Sequence, residues 1–238
     1  MSKKQDRSKF IPQNEKLKEK LSLREFEWTE KQKEFIKIAL DKETRIMFVC
    51  GPAGTSKTLM AVYSALRLLS DKKVSDIVYI RSAVESSDSK IGYLPGPHEE
   101  KMAVYNMPLE EKLVELLPKN QVQYLQKESK ITAFPVNFTR GLSWNVKCLI
   151  FDEVQNSSAK EIITVLTRLG QFSRAFILAD PMQTDLPKGK TGASERIFDL
   201  FDDEESRAKG IHVFRFTEDD IKRSELVRFL VTKFKNLN

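Results

Sequence analysis

The stretch Gly51-Pro52-Ala53-Gly54-Thr55-Ser56-Lys57-Thr58 decides how the rest of this chain is read. Immediately before it stands Ile46-Met47-Phe48-Val49-Cys50, an apolar run with the length of a buried strand. Immediately after it, Leu59 to Leu69 has helical length and a helix-forming start. Strand, glycine loop and helix together form the context of a phosphate-binding P-loop, where inward-turned backbone N–H groups and a helix N-terminus make a concave anion site. In that reading Gly51, Pro52, Ala53, Gly54, Thr55 and Ser56 cradle the phosphates of ATP. Lys57 reaches the β- and γ-phosphates, and the Thr58 hydroxyl sits on Mg²⁺. The fit to G-x-x-x-x-G-K-[ST] is incomplete, because Ser56 stands where the pattern has glycine. Its Cβ costs on the order of 1 kcal/mol if φ must be positive. The relaxed pattern turns up by chance in roughly one chain of this length in ten, so the decision rests on what surrounds the loop.

Outward from the loop, the 238 residues with 40% hydrophobic content suffice for one well-cored domain or two small ones. No apolar run approaches the roughly 18 residues of a membrane span, and Met1 to Phe10 is charged, without a signal-peptide core. Cys50 and Cys148 both lie in apolar runs and read as small buried hydrophobes. His98 and His212 are too far apart to suggest a metal cluster. These features predict a soluble cytoplasmic protein with no membrane partner. Residues 1–24 carry eight Lys/Arg against Asp6, Glu15 and Glu19, which is +5 of the net +6. That segment reads as a basic, flexible arm, either touching nucleic acid or merely solubilising. Residues 25–238 read as one domain.

Along the chain, Trp28 to Leu40 reads as a helix with Thr29 as N-cap. Further strands are expected at Asp76–Ile80, Cys148–Phe151, Arg174–Ala179 and His212–Phe216, with helices at Ala159–Leu169, Thr191–Phe201 and Ile221–Phe234. Residues 82–147 interrupt the alternation as an insertion, with helices near 108–117 and 120–127 and a short strand near 131–134. Strands alternating with helices predict a doubly wound α/β fold, a parallel sheet covered on both faces. Ligands in such sheets sit at the carboxyl ends of the strands, where Gly51, Asp152 and Asp180 all fall.

Asp152-Glu153 after four apolar residues is a Walker B pattern, which would aim Asp152 at Mg²⁺ and let Glu153 polarise the attacking water. An acidic helix N-terminus would look similar, but a P-loop upstream with a strand between favours chemistry. Gln183, after Asp180-Pro181-Met182, offers a carboxamide that could contact both the γ-phosphate and that water. Gln32 could present its amide to an adenine edge, or pass as an ordinary helical glutamine.

Taken together these residues resemble the PhoH-like family, P-loop ATPases whose RecA-like core is similar to that of superfamily 1 helicases. The matching blocks are Gln32, Gly51 to Thr58, Arg81 to Glu85, Ile91 to Gly96, Thr139 to Gly141, Phe151 to Asn156, Leu166 to Gly170, Asp180 to Pro187 and Asp219 to Arg223. They run in order from residue 28 onward, with Ser56 and Ala179 standing where the family has glycine. The resemblance implies a core of five strands in the order 5-1-4-3-2, numbered along the chain. It also implies a homo-oligomeric ring of six with nucleotide between subunits, and coupling to single-stranded nucleic acid, RNA more than DNA. An arginine finger is expected among Arg81, Arg140, Arg168 and Arg223, with Arg223 favoured and Arg140 assigned to nucleic acid. Tyr93, Tyr105, Phe138 and Trp144 could stack on bases or simply pack the insertion. The competing readings are a nucleotide-dependent switch or assembly protein with little hydrolysis, which Ser56 would favour, and a small-molecule kinase, for which no lid-like arginine cluster is visible.

Overall fold

The structure, a computed structural model, describes residues 10–12, 16–82, 98–139, 141–181, 183, 193–222, 229 and 233. Its centre is a six-stranded, all-parallel sheet. The strands are β1 (Ile46–Cys50), β2 (Asp76–Arg81), β3 (Ile131–Pro135), β4 (Lys147–Asp152), β5 (Arg174–Ala179) and β6 (Ile211–Arg215), in the order β3-β2-β4-β5-β1-β6. The helices are α1 (Glu30–Leu40), α2 (Lys57–Ser70), α3 (His98–Leu116), α4 (Lys119–Lys127), α5 (Ala159–Leu166), α6 (Ala193–Leu200) and α7 (Glu204–Ala208). Strands β1, β2, β4 and β5 are near-continuous apolar runs because both faces of a parallel sheet are covered. One face packs Met47, Val49, Tyr79 and Ile150 against α1, α2 and α3, through Phe35, Met60, Leu66 and Leu113. The other packs Phe48, Ile80, Phe151 and Ile177 against α5 and α6, through Ile162, Val165 and Phe198.

The loop strand β1 lies between β5 and β6 and does not touch β4, as the order 5-1-4-3-2 requires. The sheet is wider than that order by one strand. β3, expected inside the insertion, pairs in parallel with β2 from Ile77↔Ile131 to Arg81↔Pro135 and forms the edge. The insertion also docks its helices, with Leu109, Leu113 and Leu116 of α3 buried in the same cluster as α2. The arm differs from expectation as well. Leu17 and Leu21 are buried, the Leu21 amide donates to Ser70 Oγ at 3.0 Å, and the Arg24 amide donates to the Leu116 carbonyl at 2.9 Å. Residues 16–24 are therefore packed on the domain without forming a helix or strand, because burying two leucines outweighs holding the exposed lysines between them. Most of the helix expected at Ile221–Phe234, with Arg223, lies outside the described residues. Among the described residues, no helix is long and apolar enough to cross a membrane.

Candidate nucleotide site

The P-loop leaves β1 at Gly51, where the chain has no room for a side chain. A Cβ there would meet Phe216 Cβ at 2.6 Å, because the end of β6 crosses at that point and donates the Phe216 amide to the Cys50 carbonyl at 2.7 Å. The loop then curls through Gly54 at φ 88° and Ser56 at φ 64°. Thr55 Oγ1 donates to the Pro52 carbonyl at 2.9 Å, and the Lys222 amide donates to the Gly54 carbonyl at 3.0 Å. Ser56 is thus held in the left-handed region that the missing glycine would take without strain, and its hydroxyl makes no capping bond to α2 in return. Ser56→Gly should raise the unfolding free energy by up to about 1 kcal/mol, with ATP turnover unchanged or higher; denaturant titration beside a turnover assay checks it.

Lys57, the first residue of α2, turns back over the loop. Its Nζ donates to the carbonyls of Gly51 at 2.6 Å and Pro52 at 2.9 Å and lies 3.9 Å from Asp180 Oδ2, with 11% of the side chain exposed. Burial pulls its pKa down, against the opposing charges of Asp180, Asp152 and Glu153. A largely desolvated cation whose carboxylate neighbour, Asp180, stands at 3.9 Å without a hydrogen bond to it is set to take a closer anion.

Facing it, the Asp152 carboxylate at the end of β4 is fully directed. Its Oδ2 accepts from Thr58 Oγ1 at 3.0 Å and from Tyr79 Oη at 2.8 Å, while Oδ1 accepts the Glu153 amide at 3.0 Å. Burial, then the Asp152 charge, pushes the Tyr79 phenol far up, so it stays protonated and donates. Glu153 follows with φ 56°, a left-handed conformation rare for glutamate and typical of functional turns. Burial first, then Asp152, raises the Glu153 pKa, partly offset by Gln155, Arg81 and Lys57. Gln155 Nε2 donates to Glu153 Oε2 at 2.5 Å.

Lys57, Thr58, Asp152, Glu153 and Gln183 line one cleft of about 440 Å³ together with Ala53, Gly54 and Ser56. Gly51, Pro52 and Thr55 are not among the residues lining it; Gly51 and Pro52 line a separate hollow beside Phe216. Gln32 is not among the cleft residues: its Oε1 accepts the Thr29 amide at 3.0 Å and its own amide donates to Thr29 Oγ1 at 3.2 Å, so the carboxamide closes a capping box on α1. Arg223 and Arg140 lie outside the described residues. Arg168 donates to the Leu142 carbonyl away from the cleft, and Arg81 ends β2 in register with Asp152. Among the described residues the cleft cations are lysines: Lys57, Lys112 from α3 and Lys222. Sequence reading did not single out Tyr79, Lys112, Gln155 or Lys222. Trp144, considered for base stacking, is buried at 3% exposure and its segment bridges to Leu169.

No group of three or more His, Cys, Asp or Glu among the described residues forms a metal cage. Mg²⁺ does not need one. It is held by one or two protein oxygens plus substrate phosphates and water, and Thr58 Oγ1 beside Asp152 Oδ2 is such a donor set.

A parallel sheet with this loop and this strand order is the P-loop NTPase fold. A family model described as PhoH-like protein matches residues 27–235. The chain belongs to the PhoH-like family. Among its relatives are PhoH-like proteins of Mycobacterium tuberculosis, 33% identical over 196 residues (82% of this chain, 54% of the relative), and of Bacillus subtilis, 32% identical over 211 residues (87% and 63%). Protein PhoH of Escherichia coli is 30% identical over 199 residues, covering 83% of this chain and 54% of that protein. This PhoH-like chain therefore spans a little over half the length of the curated relatives it matches.

Proposed function

We propose that this PhoH-like protein is a Mg²⁺-dependent ATPase that works as a homo-oligomeric ring on single-stranded nucleic acid, RNA in preference to DNA. The observation that carries the reading is the convergence of Lys57 and Thr58, from the start of α2, with Asp152 and Glu153, from the end of β4, on one cleft. The loop amides and the α2 N-terminus bind the phosphate chain, and Lys57 exchanges its loop carbonyls for β- and γ-phosphate oxygens. Mg²⁺ would be held by Thr58 and Asp152 and would supply charge neutralisation to the phosphates. Glu153 takes the proton of the attacking water, a role suited to a carboxylate whose pKa is raised by burial. Gln183, at the cleft mouth, contacts the γ-phosphate. Arg223, favoured from the family resemblance, is proposed as the phosphate sensor or as the finger presented to the neighbouring subunit. The arm's charge and the family resemblance support the nucleic-acid assignment.

The test is phosphate release from ATP with Mg²⁺ or with EDTA, with and without single-stranded RNA or DNA, on protein of measured oligomeric size. Turnover that requires Mg²⁺ and rises most with RNA is the expected result. ATP binding without turnover under any of these conditions would favour a nucleotide switch, the reading to which the left-handed Ser56 lends weight. Tyr79→Phe deletes one of two donors to Asp152 Oδ2 without changing packing. It should raise the Mg²⁺ concentration for half-maximal turnover by about 10-fold, read from a Mg²⁺ titration at fixed ATP.

A further inference from the structure

We propose that Gln155 is a positioning residue that holds the Glu153 carboxylate and joins it to the turn after β5, making the base and the Gln183 segment one mechanical unit. The inference rests on the ATPase reading above. Gln155 lies in the short 3-10 turn Val154–Asn156 and is only 1% exposed. Its Nε2 donates both to Glu153 Oε2 at 2.5 Å and to the Gln183 carbonyl at 3.2 Å. Its Oε1 accepts the Asp180 amide at 2.9 Å. One carboxamide therefore spends both N–H donors and an acceptor on three groups from two loops that follow adjacent strands, β4 and β5.

A buried amide is costly to leave partly satisfied, so these three bonds hold or break together. Glu153 needs such support. Its backbone is in the left-handed region, its carboxylate stands beside that of Asp152, and nothing in a free glutamate rotamer would keep it aimed at water. The Gln155 bond fixes that aim. The same amide fixes the Asp180–Gln183 turn, whose Gln183 amide closes back on the Asp180 carbonyl at 3.1 Å. A shift of Glu153 on loss of the γ-phosphate is thereby handed to the turn through Gln155, alongside the contact proposed for Gln183 itself.

The experiment is a double-mutant cycle on the full chain. Gln155→Met keeps volume and removes the bonds; Gln155→Glu keeps a polar group but cannot donate to Glu153, and serves if the first variant unfolds. Each is expected to lower kcat about 10- to 100-fold, with ATP affinity unchanged. In a Glu153→Gln background the same change should cost less than about 3-fold, because its target is already gone. Hydrogen exchange of the Asp180 and Gln183 amides should differ between ADP and a γ-phosphate analogue in the wild type and not in the variants. Equal losses in both backgrounds, or a nucleotide-dependent exchange difference that survives in the variants, overturns the assignment. A wild type without turnover would sink the ATPase reading and this inference with it, whereas an active wild type with additive losses sinks this inference alone.

Discussion

Glu153→Gln is expected to bind ATP as tightly as the wild type and to hydrolyse it about 10²- to 10⁴-fold more slowly. The substitution keeps size and one oxygen and removes only the capacity to take a proton. It also removes a negative charge beside Asp152, so the cleft loses repulsion for the phosphates and affinity should not fall. Backbone strain at φ 56° is the same for either side chain, which leaves folding as a poor explanation of any loss. Single-turnover phosphate release alongside equilibrium binding of a labelled nucleotide separates the two quantities. Wild-type turnover in this variant would remove Glu153 from the chemistry and turn attention to the other cleft carboxylates, Asp152, Asp180 and Glu115.

Lys57→Ala acts earlier, on binding. It removes the cation that bonds the loop's own carbonyls, leaving Asp152, Glu153 and Asp180 facing incoming phosphates with, among the described residues, Lys112 and Lys222 at the cleft walls. Truncating one partner of a buried charge pair costs about 2–5 kcal/mol, which is roughly 30- to several-thousand-fold in affinity. Isothermal titration with ATP and with ADP reads it directly. A loss confined to turnover, with affinity intact, would show that Lys57 stays on the Gly51 and Pro52 carbonyls when nucleotide binds.

The sheet was readable from sequence because each inner strand is a run of four or five apolar residues, three of them followed by a residue of distinct chemistry: Gly51 after Cys50, Asp152 after Phe151 and Asp180 after Ala179. Parallel pairing followed from the alternation, and the strand order from the resemblance. β3 was harder, since Ile131–Pro135 is an edge strand with only Pro135 fully buried, and its signal is weak inside an irregular segment. Leu17 and Leu21 were masked by the lysines around them. Tyr79 carried no local signal, and Gln155 stood inside the matching block Phe151 to Asn156 without a role of its own. Tyr79 reads as a strand aromatic until a partner 73 residues away arrives, and Gln155 as a turn residue until the end of β5, 25 residues on, comes within reach. Gln32 shows the opposite case. The spacing Thr29-x-x-Gln32 was itself a capping-box signature, and that local use of the carboxamide is the one the fold displays.

The tie between Lys222 and the P-loop is made by main-chain atoms at both ends, an amide donated to the Gly54 carbonyl. Any residue except proline supplies it. Position 222 can therefore change its side chain, and with it the charge at the cleft wall, without unfastening the C-terminal segment from the loop. The fold keeps anchoring and electrostatics on separate atoms of one residue, which leaves the ligand preference of this wall open to drift while the loop's shape is inherited intact.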